Sequence, residues 1–150
     1  MDVFSQLRTS PSFDVNTIED VNLIDLDGQN LLQEAIAWRP ELAQSLINLG
    51  VDLDNQDKNG QTALQYALAR SQFDTARFLI EKGANPNLLD KYGNGALWTA
   101  ALNPKPDYSI IRLLISRDAD LRHKNKAGRS VADFAQQIGE KELLQACGLL

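Results

Sequence analysis

The chain has 150 residues, of which 43% are hydrophobic and 23% are charged, and its formal net charge is −5. This length allows one domain with a packed core, and the acidic balance argues against non-specific nucleic-acid binding. No apolar run approaches the ~20 residues that a membrane span needs. The first residues, MDVFSQLRTS, lack a signal pattern, although a leader already removed would leave the same sequence. The single cysteine, Cys147, fits a reducing compartment, so we expect a cytoplasmic protein.

Charge is distributed unevenly along the chain. Residues 1–60 carry 11 acidic and 3 basic side chains, whereas residues 61–150 carry 9 acidic and 12 basic ones. A solvated surface accounts for such an asymmetry. An acidic end that steers a basic partner accounts for it as well, and the sequence leaves both interpretations open.

The first 24 residues follow no repeated pattern. Asp2–Arg8 and Val15–Val21 are predicted to be helical, with Ser10-Pro11-Ser12 as the break between them. We expect this segment to cover the first of the units that follow.

Four glycines recur at nearly constant spacing in the rest of the chain. Gly28, Gly60, Gly93 and Gly128 lie 32, 33 and 35 residues apart, and each ends a four-residue stretch that begins with Asp or Asn: DLDG, DKNG, DKYG and NKAG. Asp and Asn side chains accept hydrogen bonds from backbone amides two residues on, and Gly tolerates positive φ. The pattern predicts four similar turns.

Each turn is followed by two apolar segments with helical spacing. The first is short, and Thr62 and Ser130 are good N-caps for it. Alanine recurs at one equivalent position that lets helices approach closely: Ala35, Ala67, Ala100 and Ala135. The second helices are predicted at 41–49, 74–82, 109–117 and 141–149. Gly50, Gly83 and Asp118 follow three of them, where a left-handed residue is expected.

Two motifs carry a family resemblance. The stretch from Thr62 to Ala67, TALQYA, is similar to the T-P-L-H-x-A motif of ankyrin repeats, and EKGANPN at 81–87 resembles their K-x-G-A-D-V-N ending. Over residues 25–147 the sequence therefore resembles the ankyrin repeat family. The resemblance implies an all-α solenoid of stacked helix-turn-helix units joined by β-turn or hairpin loops. The expected division of this single domain is a cap at 1–24 and units at about 25–56, 57–89, 90–124 and 125–150.

The departures from the family pattern concern its histidine. Gln33, Gln65, Trp98 and Asp133 take that position, so its hydrogen bonds to the turn must be made differently or lost. We interpret Trp98 as structural because Trp is highly buried on average. The third unit is two residues longer, and Pro104 and Pro106 prevent a smooth helix there.

No residue set indicates catalysis or a metal site. The stretch from Asn55 to Gly60 begins like a calcium loop, but Tyr66 stands where the bidentate Glu is needed. Gly93-Asn94-Gly95 lacks the third glycine of a dinucleotide fingerprint. His123 is interpreted as a solvated turn residue and Cys147 as a small apolar residue on a packed helix. We expect no enzyme activity, no cofactor and no metal.

The resemblance implies that a partner protein binds the concave side through turn tips and the ends of the first helices. The residues predicted to bind it are Asp27, Trp38, Lys58, Asn59, Arg70, Lys91, Tyr92, Asn94, Asn103, Lys126 and Arg129. For Trp38 the alternative is packing against Pro40 and the N-terminal cap. Tyr92 is the better candidate, since exposed Tyr is enriched at interface hot spots.

The function predicted is noncatalytic protein–protein interaction. The acidic first 60 residues and the small size suggest an inhibitor or immunity protein for a basic enzyme or toxin. The alternative is an adaptor or stabilising subunit of a larger complex. We expect neither nucleic acid nor membrane as partner, and a monomer in isolation.

Overall fold

The computed structural model describes all residues, 1–150, and its fold is helical throughout. Nine α-helices form, and the only β-structure is an isolated antiparallel bridge between Ile24 and Asn30. The helices are α1 (Val3–Thr9), α2 (Leu31–Trp38), α3 (Ala43–Asn48), α4 (Ala63–Ala69), α5 (Phe73–Glu81), α6 (Ala96–Ala101), α7 (Tyr108–Ser116), α8 (Val131–Ile138) and α9 (Lys141–Ala146). The predicted all-α class is confirmed.

The helices after α1 form four antiparallel pairs in two layers. The inner layer is α2, α4, α6 and α8, each packed on the next, and the outer layer is α3, α5, α7 and α9. Each pair packs mainly on its neighbours, as expected of a solenoid. The alanines predicted at the close approach, Ala35, Ala67, Ala100 and Ala135, are all buried. None of the helices is long and apolar enough to cross a membrane.

The turns have the predicted geometry. Asp57 Oδ1 accepts from the amides of Asn59 and Gln61 at 2.9 and 3.0 Å, and Asn125 Oδ1 accepts in the same way from the fourth turn. Gly60 closes its turn with φ +74°, in the left-handed region that favours glycine. The repeated Asp-x-x-Gly pattern therefore encodes the turn through local chemistry alone.

Three of the four inner helices begin with a capping box. Thr62 accepts from the amide of Gln65, whose side chain accepts in return from the amide of Thr62, and Ser130 pairs with Asp133 in the same manner. Asn30 and Gln33 form a third box, which the sequence analysis did not single out. Helix α6 starts at Gly95 without a side-chain cap.

The outer helices lie where they were predicted, within one to three residues. A 3₁₀ turn at Pro40–Leu42 leads into α3, so the first outer helix is not α-helical from residue 41. After α3 and α5, Gly50 and Gly83 adopt positive φ, and Asp118 does so after α7 with φ +65°. The left-handed ends predicted at these three positions are confirmed.

The N-terminal segment differs in part from the prediction. Helix α1, capped by Asp2, packs Phe4 and Leu7 against the core through contacts with α2. The predicted helix over Val15–Val21 is wrong beyond its first turn: a 3₁₀ helix spans Val15–Thr17 and the chain is extended at Ile18. Asp14 caps this turn, and Asp20 accepts from the amide of Asn22, so local side-chain bonds compete with helix continuation.

Candidate partner-binding surface

The second and third residues of the four turns form an exposed row, here named the turn ridge. It consists of Leu26, Asp27, Lys58, Asn59, Lys91, Tyr92, Lys126 and Ala127. All eight side chains are exposed, and Leu26, at 92% exposure, has almost no contact with the rest of the chain. Every unit contributes two equivalent residues to the turn ridge.

Backbone hydrogen bonds hold the turn ridge together. The amide of Lys58 donates to the carbonyl of Asp27 at 3.0 Å, that of Lys91 to Asn59 at 2.9 Å, and that of Lys126 to Tyr92 at 3.0 Å. Each turn is thereby fixed to the next one. A surface ordered in this way loses little conformational entropy when a partner docks.

Tyr92 is the large aromatic residue of the turn ridge. It is 58% exposed, and the Lys91 Nζ lies 5.1 Å from its ring centroid. The position of Lys91 over the ring is a cation–π arrangement. The pair presents a flat apolar surface beside a positive charge.

The ends of the inner helices add two more predicted residues. Trp38 is 64% exposed, which excludes the alternative that Pro40 and the N-terminal segment bury it. Arg70 is exposed, with its guanidinium carbon 5.2 Å from the Tyr66 ring centroid. Both side chains lie next to solvent at the last turn of α2 and just after α4.

The prediction that Asn103 binds a partner is corrected, because its side chain is hydrogen-bonded inside the protein. Its Nδ2 donates to the carbonyl of Leu68 at 3.0 Å and to Ser71 Oγ at 2.9 Å, and its Oδ1 accepts from the amide of Lys105. The residue is only 9% exposed. Asn103 therefore braces the proline-containing loop against the second unit and does not belong to the candidate surface.

Asn94 and Arg129 lie just behind the turn ridge. Asn94 is half-buried and its Oδ1 accepts from Asn125 Nδ2 at 2.9 Å, which connects the third and fourth turns. Arg129 is exposed, and its guanidinium donates to the Gln137 side chain. Of the two, Arg129 has the greater freedom to contact a partner.

A buried polar network supports the second turn from below. The hydroxyl of Tyr66 donates to the Asp57 carboxylate and accepts from Gln29 Nε2 at 3.2 Å. Burial raises the pKa of Tyr66 to about 12, and the hydrogen bond to Asp57 and the negative charge of Asp57 act in the same direction. The phenol stays neutral at any physiological pH and fixes the first turn to the second.

His123 is not the solvated turn residue that was predicted. It is half-buried, and its Nε2 lies 2.9 Å from the carbonyl oxygen of Gly93. Asn55 makes the equivalent contact in the first unit, where its Nδ2 donates to the carbonyl of Gly28 at 2.8 Å. Both residues stand two positions before the turn of the next unit, so a polar side chain at that position was the available signal for this contact with the turn of their own unit.

An open cavity of about 730 Å³ separates the loops of the third and fourth units. Trp98, His123 and Arg129 contribute to its lining. The Trp98 ring packs against Phe134 with centroids 6.0 Å apart, in agreement with a structural role. No group of three or more His, Cys, Asp or Glu side chains is arranged to hold a metal ion here or elsewhere in the chain.

Comparison with known proteins identifies the family to which this repeated arrangement belongs. A sequence model described as "Ankyrin repeats (3 copies)" matches residues 10–90 and again residues 32–125. The chain belongs to the ankyrin repeat family. Ankyrin repeats are generally noncatalytic modules of protein–protein interaction.

Similar ankyrin repeat proteins occur in viruses, bacteria and animals. An ankyrin repeat protein of Acanthamoeba polyphaga mimivirus is 31% identical over 107 residues, which cover 71% of this chain and 66% of the viral protein. One from Rickettsia bellii is 31% identical over 110 residues, covering 69% and 31%. "Ankyrin repeat and SAM domain-containing protein 6" of Rattus norvegicus is 35% identical over 135 residues, covering 85% and 15%. The chain thus spans less than two thirds of these relatives' lengths.

The ankyrin histidine is replaced here without loss of its bonds in the first two units. Gln33 Nε2 donates to the carbonyls of Asn55 and Gln61 at 3.1 and 2.7 Å, and Gln65 Nε2 donates to that of Asn94 at 2.9 Å. In the third unit Trp98 offers no such bond, and the cavity opens beside it. The glutamine amide thus serves both the capping box and the contact to the next ankyrin unit.

Proposed function

We propose that this chain binds a partner protein through its concave face, with the turn ridge, Trp38, Arg70 and Arg129 as the contact surface. The supporting observation is the row of exposed side chains on a backbone that is hydrogen-bonded from turn to turn. Leu26, Trp38 and Tyr92 are 92%, 64% and 58% exposed on this face. Trp and Tyr, the residue types of Trp38 and Tyr92, are among those that supply most of the binding energy at many interfaces.

The proposal is tested by identifying a partner and then locating its contact. The purified chain is used for affinity capture from its native source, with identification by mass spectrometry. Tyr92→Ala and Trp38→Ala are expected to weaken the affinity by about 30-fold each, since a hot-spot residue contributes about 2 kcal/mol. Leu49→Ala, which truncates a 42% exposed side chain at the end of the outer helix α3, is the matched control and should leave the affinity unchanged.

Either of two results would contradict the proposal. The first is a partner whose affinity depends on the outer-helix residue Leu49 and not on Tyr92 or Trp38. The second is recovery of no protein partner at all, under conditions in which the chain is folded.

The narrower role of an inhibitor or immunity protein for a basic enzyme or toxin rests on the acidic first 60 residues. Asp14, Glu19 and Asp20 in this part are all exposed and form no ion pair. In this role the association rate should fall steeply as salt is raised. An adaptor or stabilising subunit should instead copurify with one complex and show weak salt dependence, so rate measurements at several salt concentrations separate the two.

A cytoplasmic, monomeric protein is part of the same proposal. The support is that the single cysteine is buried and that 32 buried hydrophobic residues of the chain pack into one core cluster. Sedimentation of the isolated chain is expected to give a mass near 16.6 kDa.

A further inference from the structure

We infer that the turn ridge takes an acidic segment of the partner, bound in extended conformation across the second to fourth turns. This inference rests on the proposed function, and it names the chemistry of the partner at the same surface. The observation behind it is the charge of the turn ridge, which is opposite in sign to the charge of the whole chain.

Lysine occupies the second position of three consecutive turns. Lys58, Lys91 and Lys126 are all exposed, and none of them takes part in an ion pair. Arg70 and Arg129, close to the turn ridge, are likewise exposed and free of ion pairs. Three of these cations stand on the turn ridge itself, in a molecule whose net charge is −5.

The carboxylates beneath these lysines are buried and hydrogen-bonded within their own turns, so they are not available to a ligand. Asp57 and Asp90 are 8% and 9% exposed, and each holds backbone amides of its own turn. The fourth turn has Asn125 in this place, so Lys126 has no carboxylate beneath it. The outermost charges of the second to fourth turns are therefore all positive.

The first turn differs in charge from the other three, so the two ends of the turn ridge are not equivalent for a bound segment. It presents Leu26 in place of a lysine and Asp27 as the only acidic side chain of the turn ridge. An acidic segment is repelled there and attracted at the other three turns. The partner is expected to place an apolar residue over Leu26 and its carboxylates over the lysines.

The repeat of the turns sets the spacing of those carboxylates. Adjacent packed helices lie roughly 8–10 Å apart, and the turns are bonded to one another in the same register. An extended segment in the polyproline II conformation has three residues per turn and rises about 3.1 Å per residue, so every third side chain lies on the same face and comes over the next lysine. A segment with Asp or Glu at every third position fits Lys58, Lys91 and Lys126 together.

Binding of an acidic segment to the turn ridge gives different partners to the two charged regions of the molecule, the positive turn ridge and the acidic N-terminal part. A basic enzyme or toxin would have to contact the acidic N-terminal part, because the turn ridge repels it. An acidic segment on the turn ridge leaves that N-terminal part free.

The experiment uses the full chain and a fluorescent synthetic peptide with glutamate at every third residue. Fluorescence anisotropy at low salt measures its affinity for the wild-type chain and for the triple variant Lys58→Glu, Lys91→Glu, Lys126→Glu. We expect binding to the wild type, at least a tenfold loss in the variant, and weakening with salt. The neutral variant with Gln at the same three positions should show an intermediate loss, and circular dichroism with urea unfolding verifies that both variants fold.

The matched control reverses three exposed charges on the outer helices, at Lys82, Arg112 and Lys141. This control makes the same change in net charge and should retain most of the peptide affinity. An equal loss in the control, equally tight binding of the same peptide with Gln for Glu, or no binding to the wild type would overturn the inference. An oligothymidine that binds the turn ridge more tightly than the peptide would also overturn it, in favour of a nucleic acid.

Failure of the acidic-segment inference can be distinguished from failure of the proposed function. A captured partner that requires Tyr92 and Trp38 but is indifferent to the lysine reversals upholds the concave-face proposal and rejects the acidic segment. Peptide binding that requires the three lysines, in a chain that captures no protein partner, upholds the charge chemistry and rejects the partner-binding role.

Discussion

Arg8 Nη1 in the N-terminal helix donates to the Glu34 Oε1 in the first inner helix at 2.6 Å. The Glu34 side chain is 2% exposed, whereas that of Arg8 is 38% exposed. Burial raises the pKa of the Glu34 carboxyl above its usual range, and the charge of Arg8 opposes this shift. The N-terminal segment therefore supplies the partner of a buried charge in the repeat array.

Removing Arg8 should destabilise the fold in a pH-dependent way. Because the folded-state pKa of Glu34 is raised, its contribution to stability is complete below about pH 4.3 and is lost as pH rises through the folded-state pKa. Arg8→Ala raises that pKa further, so it should cost about 1.5 kcal/mol at pH 7 and much less at pH 4. Urea unfolding at both pH values measures this difference.

The control for this prediction is Glu34→Gln, which keeps the shape of the side chain and removes the charge. In that background Arg8→Ala should cost the same at pH 4 and pH 7. A cost of Arg8→Ala that does not change with pH in the wild-type background would show that the ion pair is not responsible.

The turn glycines should differ in their tolerance of a side chain. A Cβ on Gly60 would lie 2.9 Å from Asp90 Cα in the next turn, whereas one on Gly128 meets nothing within 4 Å. Both residues have positive φ, +74° and +76°, so alanine costs about 1–2 kcal/mol at either position. Gly60→Ala should cost about 1–3 kcal/mol more, because two backbones must move apart.

Thermal or urea unfolding of the two alanine variants tests the comparison. Equal destabilisation at Gly60 and Gly128 would mean that φ alone requires glycine and that the close contact between turns is not important.

Gln65 should matter more than Asp133, although both complete a capping box. Gln65 is 1% exposed, and its amide also donates to the carbonyl of Asn94 in the next unit. Gln65→Ala leaves the amide of Thr62 without a partner and removes one of the two bonds to the Asn94 carbonyl, which keeps the bond from the amide of Asp90, at a cost of about 2 kcal/mol. Asp133→Ala should cost less because water replaces its exposed carboxylate. A larger loss for Asp133→Ala in urea unfolding would contradict the role assigned to Gln65.

The N-terminal helix should unfold together with the repeats. Leu7 is fully buried, so Leu7→Ala is expected to cost about 2–4 kcal/mol. If the segment is part of the single domain predicted from the sequence, the variant keeps one cooperative transition with a lower midpoint. Arg112→Ala, on an exposed site of α7, is the control and should change the midpoint little. A separate early transition confined to residues 1–24 would show that this segment is not a part of the domain.

Cys147 should react slowly with thiol reagents while the chain is folded. It is 5% exposed, and burial raises the pKa of its thiol. The thiolate is the reactive form, so labelling with a disulfide reagent at pH 8 should be on the order of 100-fold slower in buffer than in urea. Rapid labelling of the native chain would place Cys147 on an accessible surface.

Local chemistry explains why the turns and the helix ends could be predicted. Asp57 and Gly60 form their turn with their own backbone, and Asp118 and Gly83 adopt the left-handed conformation that ends a helix within the same few residues. The repeat of these short signals was sufficient to predict the helical solenoid and the position of the exposed turn tips.

Contacts between residues that are distant in the sequence explain what could not be predicted. Asn103 was assigned to the binding surface, but Leu68 and Ser71, more than 30 residues earlier, supply the partners that bury it. His123 was assigned to solvent, and the carbonyl of Gly93, 30 residues earlier at the start of the same unit, holds it. These partners come together only when the chain folds back within a unit, as at His123, or when two units stack, as at Asn103.

The sequence by itself determined the repeated unit, because each turn, cap and apolar stripe depends on residues within one period of the chain. Only the tertiary structure decided which polar side chains are used between units and which remain for a partner. It also brought Lys58, Lys91 and Lys126 onto one ridge, although they are separated by more than 30 residues each. Stacking aligns equivalent positions, so lysines that are scattered in the acidic sequence come together in one row at the second to fourth turns.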